Sequence, residues 1–233
     1  MKAIFVLLCI CMSAVCATNY PVKVGNTLVV IKHYQQGKGK TFVHLHQNET
    51  TAKRAALAVM KAQGGSLLTL KHPGGRTIVF YLAHKRYEFD PNRIFSHRGI
   101  KKTLLRYSRY SPEAHAQVKK LADKIKKLLP KGKVIAVHNN RSYSMKNYLP
   151  GKGLAKDAHR LHYNKHKNYR NFYLVTRRRD FIRLKRLQYN SVLQRSRATD
   201  DGSLSIYLSK RQYINVEAGY HQLNTQINML KHA

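Results

Sequence analysis

Apolar positions along this chain recur with two different periods, and the two alternate from end to end. Short runs rich in β-branched and aromatic residues stand at Thr27 to Lys32, Thr41 to His46, Ser66 to Leu70, Thr77 to Ala83, Lys133 to His138, Phe172 to Thr176 and Tyr213 to Glu217, and each predicts a strand. Helical spacing lies between them. The clearest case is Pro112 to Leu129, where Ala114, Val118, Leu121, Ile125 and Leu128 fall on one face, with Ser111 as N-cap and Pro130 with Gly132 as the stop. A second helix is predicted over Thr51 to Ala62, ending at Gly64-Gly65. Turns are expected at Pro73-Gly74-Gly75 and at Pro150-Gly151. Strands alternating with helices predict a single α/β domain of three layers, α/β/α, around a mixed, largely parallel sheet. The polar stretch Lys152 to Arg170 reads as a long loop over the site.

The N-terminus changes this picture first. Met1-Lys2, the apolar run Ala3 to Ile10 and the small-residue pattern Val15-Cys16-Ala17 read as a signal peptide over residues 1–17, leaving residues 18–233 as one catalytic domain and the protein secreted or periplasmic. All three cysteines, Cys9, Cys11 and Cys16, fall in that leader, so the rest of the chain must be stabilised by its core and not by disulfides. At 233 residues it is long enough for that. No further run is apolar enough to span a bilayer. Charge comes next: 44 Lys and Arg against 10 Asp and Glu give a formal net charge of +34, which favours an acidic polymer or a cell wall as a partner. Arg177-Arg178-Arg179, Arg183 and Lys124 to Lys127 make basic faces, but no nucleic-acid-binding signature accompanies them. Gly37-Lys38-Gly39-Lys40 lacks the spacing of a phosphate loop, which excludes that class of nucleotide hydrolase.

With so few acids, each carboxylate in apolar surroundings is conspicuous. In Phe42-Val-His-Leu-His-Gln-Asn-Glu49 a strand gives way to a helix, so His46 and Glu49, three residues apart, can face one point. Zinc accepts imidazole nitrogen and carboxylate oxygen, and a catalytic zinc takes three protein ligands, leaving a position for water. His138, ending the strand Lys133 to His138, is the third candidate ligand, and His44 is an alternative to His46. Glu217 ends another apolar strand, where burial would raise its pKa into the range of a general base. Arg86-Tyr-Glu-Phe-Asp-Pro-Asn-Arg-Ile-Phe95 presents two arginines and an asparagine suited to carboxylates or an oxyanion.

In their order along the chain, these pieces resemble the aspartoacylase and succinylglutamate desuccinylase group, a branch of the zinc carboxypeptidase superfamily. The resemblance runs from about Phe42 to Gly219 through His46 to Glu49, Arg86 with Asp90-Pro-Asn-Arg93, His138-Asn139 and Val216-Glu217. It implies a Zn2+ held by His46, Glu49 and His138, with Glu217 activating water. It also implies that Arg86, or alternatively Arg98 or Lys85, stabilises the oxyanion, and that Asn92 and Arg93 grip the substrate carboxylate. Tyr143, Tyr148 and Tyr220 are candidates for a site tyrosine. The implied substrate is a small peptide or an acyl amino acid bearing a carboxylate, and a wall-derived peptide suits an exported basic protein.

Overall fold

The computed structural model describes residues 14–233. Among these residues six α-helices and a nine-stranded sheet make up the α/β fold. Strands β1 (Cys16–Val24) and β2 (Thr27–Gln36) pair antiparallel at one edge, and β2 pairs antiparallel with β4 (Gly65–Lys71). Then come β3 (Lys40–His44), β7 (Val134–Asn140) and β11 (Tyr213–Gly219), with β4, β3, β7 and β11 mutually parallel at the centre. Beyond β11 lie β9 (Phe172–Val175), β10 (Ser191–Gln194) and β8 (Ala158–His162), in the order β1-β2-β4-β3-β7-β11-β9-β10-β8. A separate hairpin, β5 (Ile78–Leu82) with β6 (Lys85–Phe89), turns through Ala83 and His84, both at positive φ, as a two-residue hairpin of this twist requires.

The period-two alternation of the central strands divides the interior. Phe42, Leu67, Ile135 and Val137 face one layer, made by α1 (Thr50–Gln63), α4 (Arg178–Arg186) and α6 (Leu223–His232). Their neighbours Val43, Leu68 and Ala136 face the other, made by α2 (His97–Tyr107), α3 (Pro112–Leu128), the short α5 (Leu204–Tyr207) and the apolar side of the hairpin. A strand buried on both faces reads as a continuous apolar run, which is why Val134 to Val137 carry no polar residue. Each fully buried aliphatic side chain of this kind contributes about 1.5–3 kcal/mol. In α1 the buried face is Ala52, Ala55, Ala56, Val59 and Met60, mostly small, so the helix axis lies close to the sheet.

Helix α3 begins where expected: Ser111 Oγ accepts from the Ala114 amide at 3.1 Å and Pro112 opens the first turn. The stretch expected to be one long loop, Lys152 to Arg170, instead contains strand β8, which pairs antiparallel with β10 and closes the far edge. Its residues from His159 to His162 are exposed or half-buried, so an edge strand here needs no apolar pattern. The leader, expected over residues 1–17, lies outside the described residues up to residue 13. Cys16 and Ala17 form the exposed end of edge strand β1, opposite Gln35 and Tyr34, so a cut after Ala17 would fall two residues inside that strand. Among the described residues no helix is long and apolar enough to cross a membrane.

Candidate metal centre

Strands β3, β7 and β11 end side by side, and the site is built at those ends on the face covered by α2 and α3. His46 follows β3 by two residues. The Glu49 amide donates to the His46 carbonyl at 3.0 Å, a tight turn that swings the two side chains together. Glu49 then occupies the N-cap of α1 but makes no side-chain cap there, because its carboxylate is turned into the site. The orphan amide of Ala52 in the first turn is met instead by Asn139 Oδ1 of β7 at 2.8 Å. On β7 and β11, His138 and Glu217 are register partners, and both project to the same face as Asn140 and Asn215.

Three side chains converge. His46 Nδ1 lies 3.0 Å from Glu49 Oε1 and 3.2 Å from His138 Nδ1, and His138 Nδ1 lies 3.0 Å from Glu49 Oε2. The two imidazole nitrogens stand close to the roughly 3.3 Å between donors bound at about 2.0–2.1 Å around a tetrahedral ion, and the Glu49 carboxylate reaches one of them with each of its oxygens. The chemistry of the set agrees. His46 directs Nε2 at Asp90 Oδ1, 2.7 Å away; with its proton there, Nδ1 presents a lone pair to a second lone-pair donor and a carboxylate. Two imidazole nitrogens and one carboxylate oxygen, all buried and facing one point, suit a zinc-like cation. The Asp90 contact has the form of the carboxylate that orients a metal-bound histidine. Glu49 Oε2 is also fixed by the Asn139 amide at 3.1 Å. Asn139 Nδ2 reaches Gln226 Oε1 at 2.9 Å, and Gln226 Nε2 donates to the His138 carbonyl at 2.9 Å, so the site is braced through the sheet from α6.

With no cation at the shared point, burial works against charge on His46, yet Glu49 and Asp90 on either side outweigh it and push its pKa up to about 9, so a metal ion binding at Nδ1 would have to displace a proton there. Asp90 is likewise buried, and His46, with Arg93 and Arg76, nevertheless holds it well below the usual carboxylate range. His44, the alternative ligand, is taken up elsewhere: Nε2 meets the Glu49 carbonyl at 3.0 Å and Nδ1 meets Thr69 Oγ1 at 2.9 Å, and burial lowers its pKa to about 4. It braces the Glu49 turn and faces away from the other two imidazoles' shared point.

Around the donors opens a cavity of about 740 Å³. Glu217 lines it and is buried; desolvation raises its pKa, helped by Glu49 and opposed by His138 and two carboxamides. Asn92 and Arg93 line it as well. Asn92 is held by the Leu204 amide, which donates to Oδ1 at 3.0 Å, while Arg93 donates to the Asn92 carbonyl at 2.8 Å and stands 3.6 Å from Asp201. The candidate tyrosines Tyr143, Tyr148 and Tyr220 all border the cavity, the first two sharing a hydroxyl hydrogen bond.

Arg86 is not part of this group. It projects from the exposed start of strand β6, pairs with Glu88 two residues on and lies outside the cavity wall, because the hairpin turns its 81–86 rung toward solvent. Arg98 and Lys85, the alternatives, are exposed and absent from that wall too. The arginine beside the candidate ligands is Arg76, from the turn before β5: Nη1 donates to Glu49 Oε1 at 2.6 Å and Nη2 stands 3.5 Å from Asp90 Oδ2. Nothing in its sequence neighbourhood marks it, since it is one of many basic residues beside a glycine turn. Asp90 was visible within the Asp-Pro-Asn-Arg stretch, but its role in holding His46 was not. Asn140 and Asn215, which contact Glu217, carried no signal beyond sharing its strand and the neighbouring one.

Comparison with protein-family models, curated proteins and solved structures returns no match. The family resemblance therefore stands on the ordered residues alone.

Proposed function

We propose that this protein is an exported, zinc-dependent amide hydrolase acting on a carboxylate-bearing peptide or acyl amino acid, a wall-derived peptide among the candidates. The observation that carries the reading is the convergence of His46 Nδ1, Glu49 and His138 Nδ1, 3.0–3.2 Å apart, in the wall of a cavity that also holds a buried glutamate. His46, Glu49 and His138 would hold the metal. When bound, such an ion supplies Lewis acidity, making water easier to deprotonate and a carbonyl easier to attack.

The chain's own groups divide the remaining work. Glu217, kept protonatable by burial and aimed by Asn140 and Asn215, takes a proton from the attacking water and returns it to the leaving amine. Arg76, half exposed at the mouth, offers its guanidinium to the negative charge that develops on the carbonyl oxygen. Arg93 and Asn92 hold the substrate carboxylate, orienting the scissile amide between Glu217 and the histidines. The resemblance to the aspartoacylase-like hydrolases supports the same division of roles, with Arg76 standing in for Arg86.

Purified without chelator, the protein should carry about one zinc per chain and hydrolyse members of a panel of N-acyl amino acids and wall-derived peptides. Chelation should abolish the activity and added zinc restore it. A chain that neither carries nor takes up metal sinks the reading. A second reading, a secreted polyanion-binding protein on an inactive scaffold, is favoured by the net charge of +34 and by the exposed arginines of α4. Tight, salt-steep binding to an acidic polymer, with no hydrolysis from the zinc-loaded protein, would select it.

A further inference from the structure

Helix α4 carries an outward face made almost wholly of cations. Its buried side is Asp180, Phe181 and Leu184, which leaves Arg178, Arg179, Ile182, Lys185 and Arg186 exposed. Positions three and four apart are neighbours on a helix, so Ile182 stands at the crest with Arg178, Arg179, Lys185 and Arg186 around it. The arrangement costs the helix stability. Arg177, Arg178 and Arg179 open α4 at the end where the macrodipole disfavours cations, and Arg183 has like charges three and four residues away at Arg186 and Arg179. Between Ala158 and Arg197 the one carboxylate is Asp180, and it is buried. Gln212 Nε2 donates to both its oxygens, at 3.2 and 3.0 Å, and of these arginines only Arg183, 3.8 Å away, reaches it. Arg177 and Arg179 are satisfied by neutral acceptors, the Lys210 carbonyl and Gln212 Oε1, which leave their charge uncompensated.

The positive field extends past the helix. Arg160, exposed on edge strand β8, borders a shallow groove with Ile182, Lys185 and Arg186. Asn164 Nδ2 donates to the Gln188 carbonyl at 3.3 Å and Asn190 Nδ2 to the Asn168 carbonyl at 3.2 Å, which fastens the turn bearing the exposed Lys165 and Lys167 beside the end of α4. Within this field sit two aliphatic side chains. Ile182 is 36% exposed and Leu187 45%, and a second groove lined by both is otherwise walled by Arg179, Arg183 and Arg186. Phosphates of a nucleic acid or an acidic polymer are met by cations alone, and unstacked bases ask for aromatic rings. The crest of α4 has no ring. Aliphatic side chains among arginines instead match the boundary between anionic headgroups and acyl chains, where the apolar tips leave water and the guanidiniums stay with the phosphates.

We propose that the α4 face is a docking surface for an anionic lipid bilayer, with Ile182 and Leu187 entering the headgroup boundary and Arg160, Arg178, Lys185 and Arg186 holding lipid phosphates. The proposal stands apart from the hydrolase reading. Helix α4 lies in the layer of α1 and α6, the site lies on the face covered by α2 and α3, and no residue of α4 lines the cavity. Docking through α4 therefore uses none of the residues of the site.

The test is flotation of the full chain with vesicles of phosphatidylglycerol and phosphatidylcholine, against phosphatidylcholine alone, at about 150 mM salt. The apolar run Ala3 to Ile10 is common to every variant, so binding is read as the excess on anionic over neutral vesicles. That excess should be about tenfold or more in affinity for the wild type. Ile182→Ser with Leu187→Ser, which changes no charge, should weaken binding to anionic vesicles by about tenfold and leave the salt needed to elute the protein from heparin unchanged. Arg178→Gln with Lys185→Gln and Arg186→Gln should weaken vesicle binding by about 10²-fold. The chain has no tryptophan, so Leu187→Trp places a sole reporter, whose emission should shift to the blue and be quenched by lipids brominated on the acyl chains. An unquenched indole overturns the proposal, and so do anionic vesicles bound no better than neutral ones. Full vesicle binding by the serine pair overturns it as well, since α4 would then be taking any polyanion by charge alone. Unchanged binding by the glutamine triple would place the lipid elsewhere on the surface and end the assignment to α4.

Discussion

His46 is fixed at both ring nitrogens, one toward the shared donor point and the other on Asp90, and on the proposed reading this makes the aspartate a lever on metal affinity. Removing it leaves the ligand set intact but frees the ring to rotate and change tautomer. Asp90→Ala should therefore retain the fold and weaken zinc binding by about 10- to 100-fold in competition with a chromogenic chelator. The two arginines make a sharper contrast. Arg76→Ala should lower kcat/KM by about 10²- to 10³-fold, while Arg86→Ala, which removes only an exposed pair with Glu88, should stay within about twofold. Equal losses from both would refute the placement of Arg76. Glu217 predicts a pH profile. Its pKa is raised above the ordinary 4.5 by burial, so it becomes protonated, and unable to take a proton, at a higher pH than a free glutamate. The acid limb of kcat/KM should thus lie above 4.5, and Glu217→Gln should keep its zinc while losing the limb together with nearly all turnover. At this scale the sequence was informative where chemistry is rare and silent where it is common. A His-x-x-Glu, a strand-end histidine and an acid in an apolar strand are each unusual in this chain, and the fold gathers all three. Arg76 is one arginine among many, and only the turn before β5 gives it a role.

Among the elements, those with a complete local signal were readable. Helix α3 has its cap, its opening proline and a five-position apolar face, all visible before any tertiary contact is considered. Strand β8 has none of these, because it borrows its place from the edge of β10 and keeps mostly exposed side chains. The hairpin β5-β6 was half visible: its first strand reads as apolar, but the turn at Ala83 and His84 uses positive φ at residues that do not advertise it. That hairpin delivers Asp90, Asn92 and Arg93 to the cavity, and a pair of glycines holds the delivery. Gly99 in α2 and Gly202 face one another so closely that a Cβ on Gly99 would stand 2.3 Å from the Gly202 Cα and 2.7 Å from the Arg93 carbonyl. The obstacles are backbone atoms, which cannot rotate away. Gly99→Ala should cost about 1–3 kcal/mol in chemical denaturation and raise KM as the Arg93 wall shifts. Unchanged stability would mean that α2 can slide without consequence.

Across the whole molecule, the excess of positive charge is spread over the surface, and its effect should be long-range and independent of the metal. Retention on an acidic polymer should fall steeply between about 50 and 200 mM salt, and His46→Ala, stripped of zinc, should elute with the wild type. A retention change on losing the metal would instead tie polymer binding to the active cavity. The three-layer architecture was legible from the alternation of strands and helices. The order of strands was not, since pairing depends on which apolar faces find one another across the sheet. One brace gains its meaning only at this scale. Glu49 leans on the Asn139 amide, and Asn139 and the His138 carbonyl both lean on Gln226 in α6, whereas His46 and Glu49 lie in the first quarter of the sequence. During synthesis the chain would therefore expose two ligands long before the partner that steadies the third has left the ribosome. If the proposed site holds metal, metal capture would be a late event, a checkpoint reporting that the sheet has closed and its last helix has docked, and a chain halted short of α6 would bind metal poorly even with every proposed ligand present.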